Sequence, residues 1–184
     1  MKSKLLFIDT ETTGLNPKKN GIIQIAAIYE GKEFEVNHNP LTYGAKIDKE
    51  ALKINGIKKK WIKKYPDNGL EKFVEWMDKH VQKYNKKDKF IAVGYNVKFD
   101  VEMLHGEAKR QQFEFMGSYI DWRVIDVLVL ARTAHVLGQM PDEPEDFKLG
   151  TICKVYGIKE PSHDAMDDIR ATEELFYKIT EEWE

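Results

Sequence analysis

A chain of 184 residues, 42% apolar and 33% charged, has the makeup of an ordinary globular protein, and its length suits one domain, 1–184, with one sizeable core. The formal net charge of -2 excludes a protein that holds nucleic acid by bulk positive charge, so any such contact must be local. The lone Cys153 excludes an intrachain disulfide and a cysteine-based zinc site, and the N-terminal apolar run is too short for a signal segment or a membrane span; the reducing cytoplasm is the expected location.

The segment from Lys4 to Asp9 reads as a buried strand, too short for a helix and followed by a Thr/Gly/Asn/Pro cluster. "GIIQIAAIYEGKEFEVNH" predicts a hairpin whose "EGK" supplies the turn glycine. From Asp48 the spacing becomes helical, clearest at Leu70, Phe73, Val74, Met77, Val81 and Tyr84, with Asp67 or Asn68 as the candidate cap. "KFIAVGYN" is another short buried strand, and the helix expected over Phe99 to Phe113 carries Val101, Met103, Leu104 and Ala108. "WRVIDVLVLARTAHVL" mixes a short strand with a helix, and "QMPDEPEDF" is a loop. A last helix runs from about Ala165 to Trp183, and no docking extension is expected after it. Strands alternating with helices predict an α/β fold. In "GIKKKWIKKYP", lysines interleave with Trp61 and Tyr65. Such a run can track phosphates and stack a base, but the expectation is a solvated lysine-rich helix face with an aromatic anchor.

If Asp9 and Glu11 continue the first strand, the two-residue period puts both on one face, with Thr10 turned away. Like charges about 4 Å apart repel by roughly 4 kcal/mol at an effective dielectric near 20, so a proton or a cation must relieve them. Oxygen-only ligands suit Mg²⁺ or Mn²⁺; the alternative is a pair that caps the following turn. In "GYNVKFD", Asn96 ends a strand and Asp100 falls near the start of a helix, where the dipole alone favours an acid, while Phe99 reads readily as core. In "PSHDAMDDIRATEELF" and the residues after it, Ala165, Ile169, Thr172, Phe176, Ile179 and Trp183 form a buried stripe at 100° per residue. Asp167 then points to solvent, Asp168 sits at the border of the stripe, and Asp164 is a candidate N-cap. His163, just before the helix, either leans toward the same site or stays on the surface. Capping explains each acid separately but not their joint arrival. Two-metal phosphoryl chemistry uses this whole inventory, with carboxylates for ions about 3.5–4 Å apart and a base that activates water.

"FIDTETTGL", "NVKFD" and "HDAMDD" resemble the three motifs of the DEDDh 3′-5′ exonucleases, the DnaQ-like group of the ribonuclease H-like superfamily. The motifs occur in family order across nearly the whole chain, and "IIQIAAI", "EALKINGI" and "VIDVLVLAR" also look like family segments. The resemblance implies a ribonuclease H-like mixed central sheet flanked by helices. It implies a metal-dependent enzyme that releases nucleoside 5′-monophosphates from the 3′ end of single-stranded or frayed DNA. Asp9, Glu11 and Asp168 would bind one Mg²⁺ or Mn²⁺ ion, Asp9 would bridge to a second, Asp100 would support the site through water, and His163 would be the general base. For the substrate, the resemblance points to Glu50, Asn55 and Phe99 and to backbone groups at Thr10 and Thr12. Asn55 stands where the family often has histidine, so a stacking imidazole is lost. Single-stranded DNA is thus the expected partner, with a DNA polymerase as the partner of proofreading members. An exoribonuclease is the alternative, because the motifs do not report a 2′-hydroxyl. An aspartyl phosphatase built on "DTE" lacks its second aspartate, and a non-catalytic binding module leaves the filled catalytic positions without a use.

Overall fold

The computed structural model describes residues 3–113, 116–162 and 164–181. Its strands are β1 (Lys4–Thr12), β2 (Ile22–Tyr29), β3 (Lys32–Asn37), β4 (Phe90–Gly94) and β5 (Ile125–Asp126). They form one five-stranded sheet in the order β3-β2-β1-β4-β5. The β1–β2 and β2–β3 pairs are antiparallel, and the β1–β4 and β4–β5 pairs are parallel, so the sheet is mixed. The hairpin turns at Glu30 and Gly31, whose φ values of 49° and 71° are both positive, as a two-residue hairpin turn of the primed type requires.

The helices are α1 (Lys49–Ile54), α2 (Lys59–Ile62), α3 (Gly69–Asp78), α4 (Lys98–Arg110), α5 (Val127–Val136), α6 (Leu149–Val155) and α7 (Ala165–Glu181). Leu6, Ile8, Ile25 and Ala27 face a core shared with α3 and α4. Phe7, Ala26, Ile28 and Val93 face a second core shared with α5, α6 and α7. With helices on both faces, β2 is buried at every position, which is why "IIQIAAIY" reads as a continuous apolar run and not as an alternation.

Several boundaries differ from the sequence reading. β1 continues past Asp9 to Thr12, held by its pairing with β2. α3 stops at Asp78: Val81 enters the core from the turn that follows, and Tyr84, at φ 69° and 73% exposed, has left the helix. Asn68 occupies the N-cap position of α3 but makes no side-chain capping bond. α4 begins at Lys98 and ends at Arg110, short of Phe113, where Gln112 at φ 52° turns the chain. α6 had no counterpart in the sequence reading; it is short and has no side-chain cap. In α7 the expected residues Ala165, Ile169, Thr172, Phe176 and Ile179 are buried, and Met166, Ala171 and Leu175 widen the stripe, while Trp183 lies outside the described residues. Among the described residues, no helix is long and apolar enough to cross a membrane.

Candidate active site

The site forms where β1 outruns its parallel neighbour. The β1–β4 ladder ends at Phe7 and Val93, whereas pairing with β2 continues to Thr12. β4 ends at Gly94, where a Cβ would lie 2.7 Å from the Ile8 carbonyl oxygen, so only glycine permits this approach. Asn96, at φ 63°, turns the chain into α4. Its amide donates to Asp126 Oδ1 at 2.9 Å, and the same oxygen caps α5 through the Leu128 amide at 3.0 Å.

Past the end of the β4 ladder, the Thr10 amide donates to Asp100 Oδ1 at 3.0 Å and the Thr10 hydroxyl donates to the same oxygen at 2.6 Å. Asp100, in the first turn of α4 and 3% exposed, is thereby fixed to the end of β1. Thr10 does turn off the Asp9–Glu11 face, as strand alternation requires. Its amide is spent on Asp100. Thr12 is also buried; its hydroxyl donates to the Gly14 carbonyl at 3.0 Å, and its own carbonyl accepts from Asn55 Nδ2 at 3.1 Å.

Asp9 and Glu11 share the face of Phe7, beneath α7. Opposite Glu11 on β2 stands Gln24, whose Oε1 accepts from the Ala165 amide at 3.4 Å and whose Nε2 donates to Asp164 Oδ2 at 3.2 Å. Asp164 caps α7 by accepting from the Met166 amide at 3.1 Å. The first turn of α7 is therefore pinned to β2, which sets where Asp168 falls. Carboxylate oxygens of Asp9, Glu11 and Asp168 lie within 4.8 Å of one another, all three side chains partly accessible. At that separation each pair of charges repels by about 3.5 kcal/mol at an effective dielectric near 20.

The acids respond as such crowding demands. Asp9 is held well above the usual carboxylate range by burial, then by the charges of Asp100, Asp168 and Glu11. Burial and Asp168 push Glu11 up to about 7, against the lowering effect of a hydrogen bond from Asn55. Asp100 is likewise pushed up to about 7 by burial, although both Thr10 bonds act to lower it. A partly accessible set of mutually repelling oxygen donors, with no thiolate or imidazole in the described cluster, fits a hard divalent cation.

The remaining sequence candidates fall around this cluster. Asp167 is half-exposed and accepts from Ser162 Oγ at 2.6 Å, away from the three acids. Phe99 is half-buried and packs against the α3–α4 core. Glu50 is exposed on α1. Asn55, at the end of α1, reaches both Thr12 and Glu11. His163 lies outside the described residues.

Two supporting residues escaped the sequence reading. Gln24 had a signal, since it is the one amide in an otherwise apolar run of β2. Glu107 had another, an acid on the buried stripe of α4 between Leu104 and Ala108. Fully buried, Glu107 accepts from the Ile22 amide at 3.2 Å, from Arg110 at 2.6 Å and from Gln111 at 2.9 Å, and pairs with His38 Nε2 at 3.3 Å. Arg110 continues to the Pro17 carbonyl at 3.1 Å and to the Asn20 carbonyl, so α4 holds the loop that follows β1.

The family model described as exonuclease matches residues 6–176, from β1 through most of α7. The chain belongs to the exonuclease family. The chain is 28% identical over 189 residues to the DNA polymerase III PolC-type of Caldanaerobacter subterraneus subsp. tengcongensis, a match covering 98% of the chain and 12% of the relative. It is 27% identical over 193 residues to ribonuclease T of Buchnera aphidicola subsp. Baizongia pistaciae, covering 96% of the chain and 83% of that protein. To DNA polymerase III subunit epsilon of Rickettsia prowazekii it is 28% identical over 192 residues, covering 95% of the chain and 73% of the subunit. Among solved structures, E. coli exonuclease I in complex with a dT13 oligonucleotide superposes with a TM-score of 0.77 at 23% identity, over 98% of this chain and 41% of that one. The chain thus shares the ribonuclease H-like fold of exonuclease I, and it spans a small part of the PolC-type relatives and less than half of exonuclease I.

Proposed function

We propose that residues 1–184 act as one 3′-5′ exonuclease domain that hydrolyses the terminal phosphodiester of single-stranded or frayed DNA and releases nucleoside 5′-monophosphates. The observation that carries this reading is the convergence of Asp9, Glu11 and Asp168 oxygens within 4.8 Å, beside buried Asp100, in a chain of the exonuclease family. Asp9, Glu11 and Asp168 would hold the divalent metal, two ions of Mg²⁺ or Mn²⁺. Bound there, such ions neutralise phosphoryl oxygens and acidify water.

The chain's own groups do the rest. The Asn55 amide orients Glu11 through its hydrogen bond. Thr10 fixes Asp100 on the opposite flank of β1, where its charge bears on Asp9. His163, adjacent to the capping residue Asp164, takes the proton of the attacking water. Glu50, Asn55 and Phe99 flank the terminal nucleotide. The likeness to a PolC-type polymerase and to an epsilon subunit supports proofreading beside a DNA polymerase as the setting.

A degradation ladder on end-labelled single-stranded DNA, paired and mismatched duplex, and RNA, with and without Mg²⁺, tests the assignment. Asp9→Ala and Asp168→Ala should each abolish nucleotide release while circular dichroism stays native; activity in both variants would sink it. His163→Ala should slow hydrolysis with ion binding retained by calorimetry, and a collapse of ion affinity would remove the base role. RNA cleaved with DNA spared would reassign the substrate.

A further inference from the structure

The lysine-rich segment after α1 is the sequence feature that the proposed reaction leaves unused. An aromatic anchor of a solvated face would put the Trp61 ring in the core. Instead Ile62 is the buried residue of α2, and Trp61 is 47% exposed. The Lys60 and Lys64 ammonium groups lie 5.5 and 5.0 Å from the centroid of its ring. Lys58, Lys59 and Lys63 are exposed beside them, and no acid stands between Glu50 and Asp67 to neutralise the run. In a chain of net charge -2, this is a local concentration of positive charge of the kind a polyanion requires.

The segment is also tied to the site. At one end Asn55 Nδ2 donates to the Thr12 carbonyl at 3.1 Å, and at the other the Pro66 carbonyl accepts from the Asn39 amide at 2.8 Å, after β3. The chain from Asn55 to Trp61 reaches at most about 20 Å, even fully extended. At roughly 3.4 Å per stacked nucleotide, Trp61 lies within about six nucleotides of the reacting end.

We infer that Lys58–Lys64 form a single-strand platform, on which the strand behind the reacting 3′ end lays its phosphates along the lysines and one base on the Trp61 ring. The inference rests on the exonuclease reading of the Asp9 cluster. An exposed ring set among cations grips any base by its face, so the platform is tolerant of sequence, as a processing enzyme needs.

The test uses the full chain and 5′-labelled dT12 and dT3, with affinity read by fluorescence anisotropy in EDTA and kcat/KM read with Mg²⁺. Trp61→Ala should weaken dT12 binding about tenfold, and its loss on dT12 should exceed its loss on dT3 severalfold. The pair Lys60→Glu and Lys64→Glu should flatten the dependence of log affinity on log salt by about 1.4. Equal losses on dT12 and dT3, or no loss with either variant, would overturn the platform. Displacement of dT12 by a polyglutamate of the same length as readily as by unlabelled dT12 would also overturn it, in favour of an acidic protein partner. Trp61-dependent dT12 binding without nucleotide release in Mg²⁺ or Mn²⁺ would uphold the platform and defeat the exonuclease reading. Nucleotide release insensitive to both variants would do the reverse.

Discussion

Replacing Glu11 with glutamine removes one charge from the cluster while keeping the side chain's size. In the metal-free protein, burial and the Asp168 charge raise Glu11 from 4.5 to about 7. A carboxyl raised in this way binds its proton more tightly in the native state than in the unfolded chain. It therefore costs little stability below pH 4.5, increasingly more as the pH climbs, and its full penalty above pH 7. At about 1.4 kcal/mol per pH unit, that penalty is about 3 kcal/mol at pH 8 and about 1 kcal/mol at pH 5. Burial is the first cause of that penalty and the Asp168 charge the second. Glu11→Gln should accordingly stabilise the protein in EDTA by about 3 kcal/mol at pH 8, roughly 6–12 °C in Tm for a chain of this size. Urea unfolding followed by circular dichroism at pH 5 and pH 8 measures both values. Adding Mg²⁺ or Mn²⁺ should then raise the wild-type Tm more than the variant's, because the variant has lost a ligand, and nucleotide release should fall. A variant less stable than wild type at pH 8 in EDTA would refute the claim that the buried, crowded Glu11 charge costs the metal-free fold stability.

Thr10→Val removes the 2.6 Å hydroxyl bond to Asp100 while leaving the backbone bond in place. It should cost about 1–3 kcal/mol, and because that bond lowers Asp100, the acidic limb of the pH-rate profile should move to higher pH; an unmoved limb would separate Asp100 from the reaction. For Glu107, burial pushes the carboxyl up, but the bonds from His38 and Gln111 and the charge of Arg110 outweigh it, and the net shift is below 4.5. Its stabilisation is therefore present above pH 4.5 and lost as the pH falls through the lower folded value. Glu107→Gln should cost about 3 kcal/mol at pH 7 and clearly less near pH 3 in thermal melts; an equal cost at both would leave charge out of the hub. Gln24→Leu unpins the start of α7, so kcat should fall severalfold with KM for dT12 little changed, whereas a loss confined to KM would move Gln24 to substrate binding.

What could be read from sequence was whatever a fixed period controls. Strand alternation put Asp9 and Glu11 on one face, and the 100° step put Asp168 at the edge of the α7 stripe; both follow from backbone geometry that tertiary packing does not alter. Asp100 was ambiguous because a helix's first turn welcomes an acid in any protein, and only the bonds from Thr10 distinguish this one. Thr10 was correctly turned off the Asp9 face, yet periodicity could not say what stood on the other side. α3 was drawn too long because Val81 supplies an apolar side chain at helical spacing from a turn, and periodicity counts side chains without seeing the backbone that carries them. Glu107 gives no clear signal in sequence because a charged residue on an apolar stripe looks like noise until His38, 69 residues away, is brought beside it.

The unequal lengths of β1 and its parallel neighbour explain why these pieces need one another. A strand end left bare on one edge exposes amides that must find an acceptor, and the Asp100 carboxylate supplies it at Thr10. The opposite edge of β1 stays paired with β2 through Thr12, which provides Gln24 to seat α7 and so to bring Asp168 over Glu11. The scaffold thus forces acids together from both flanks of one strand, and Asp9, Glu11 and Asp100 are raised above their ordinary range, first by burial and, for Asp9 and Glu11, then by the charges of their neighbours. Such an arrangement is unfavourable in the metal-free chain, so packing elsewhere must offset it, and the two helix-covered cores on the faces of the sheet are where that packing lies. A cation is what turns the strain into binding energy: the repulsion that weakens the metal-free fold is the attraction that draws a divalent ion, and one substitution at Glu11 should move both in opposite directions.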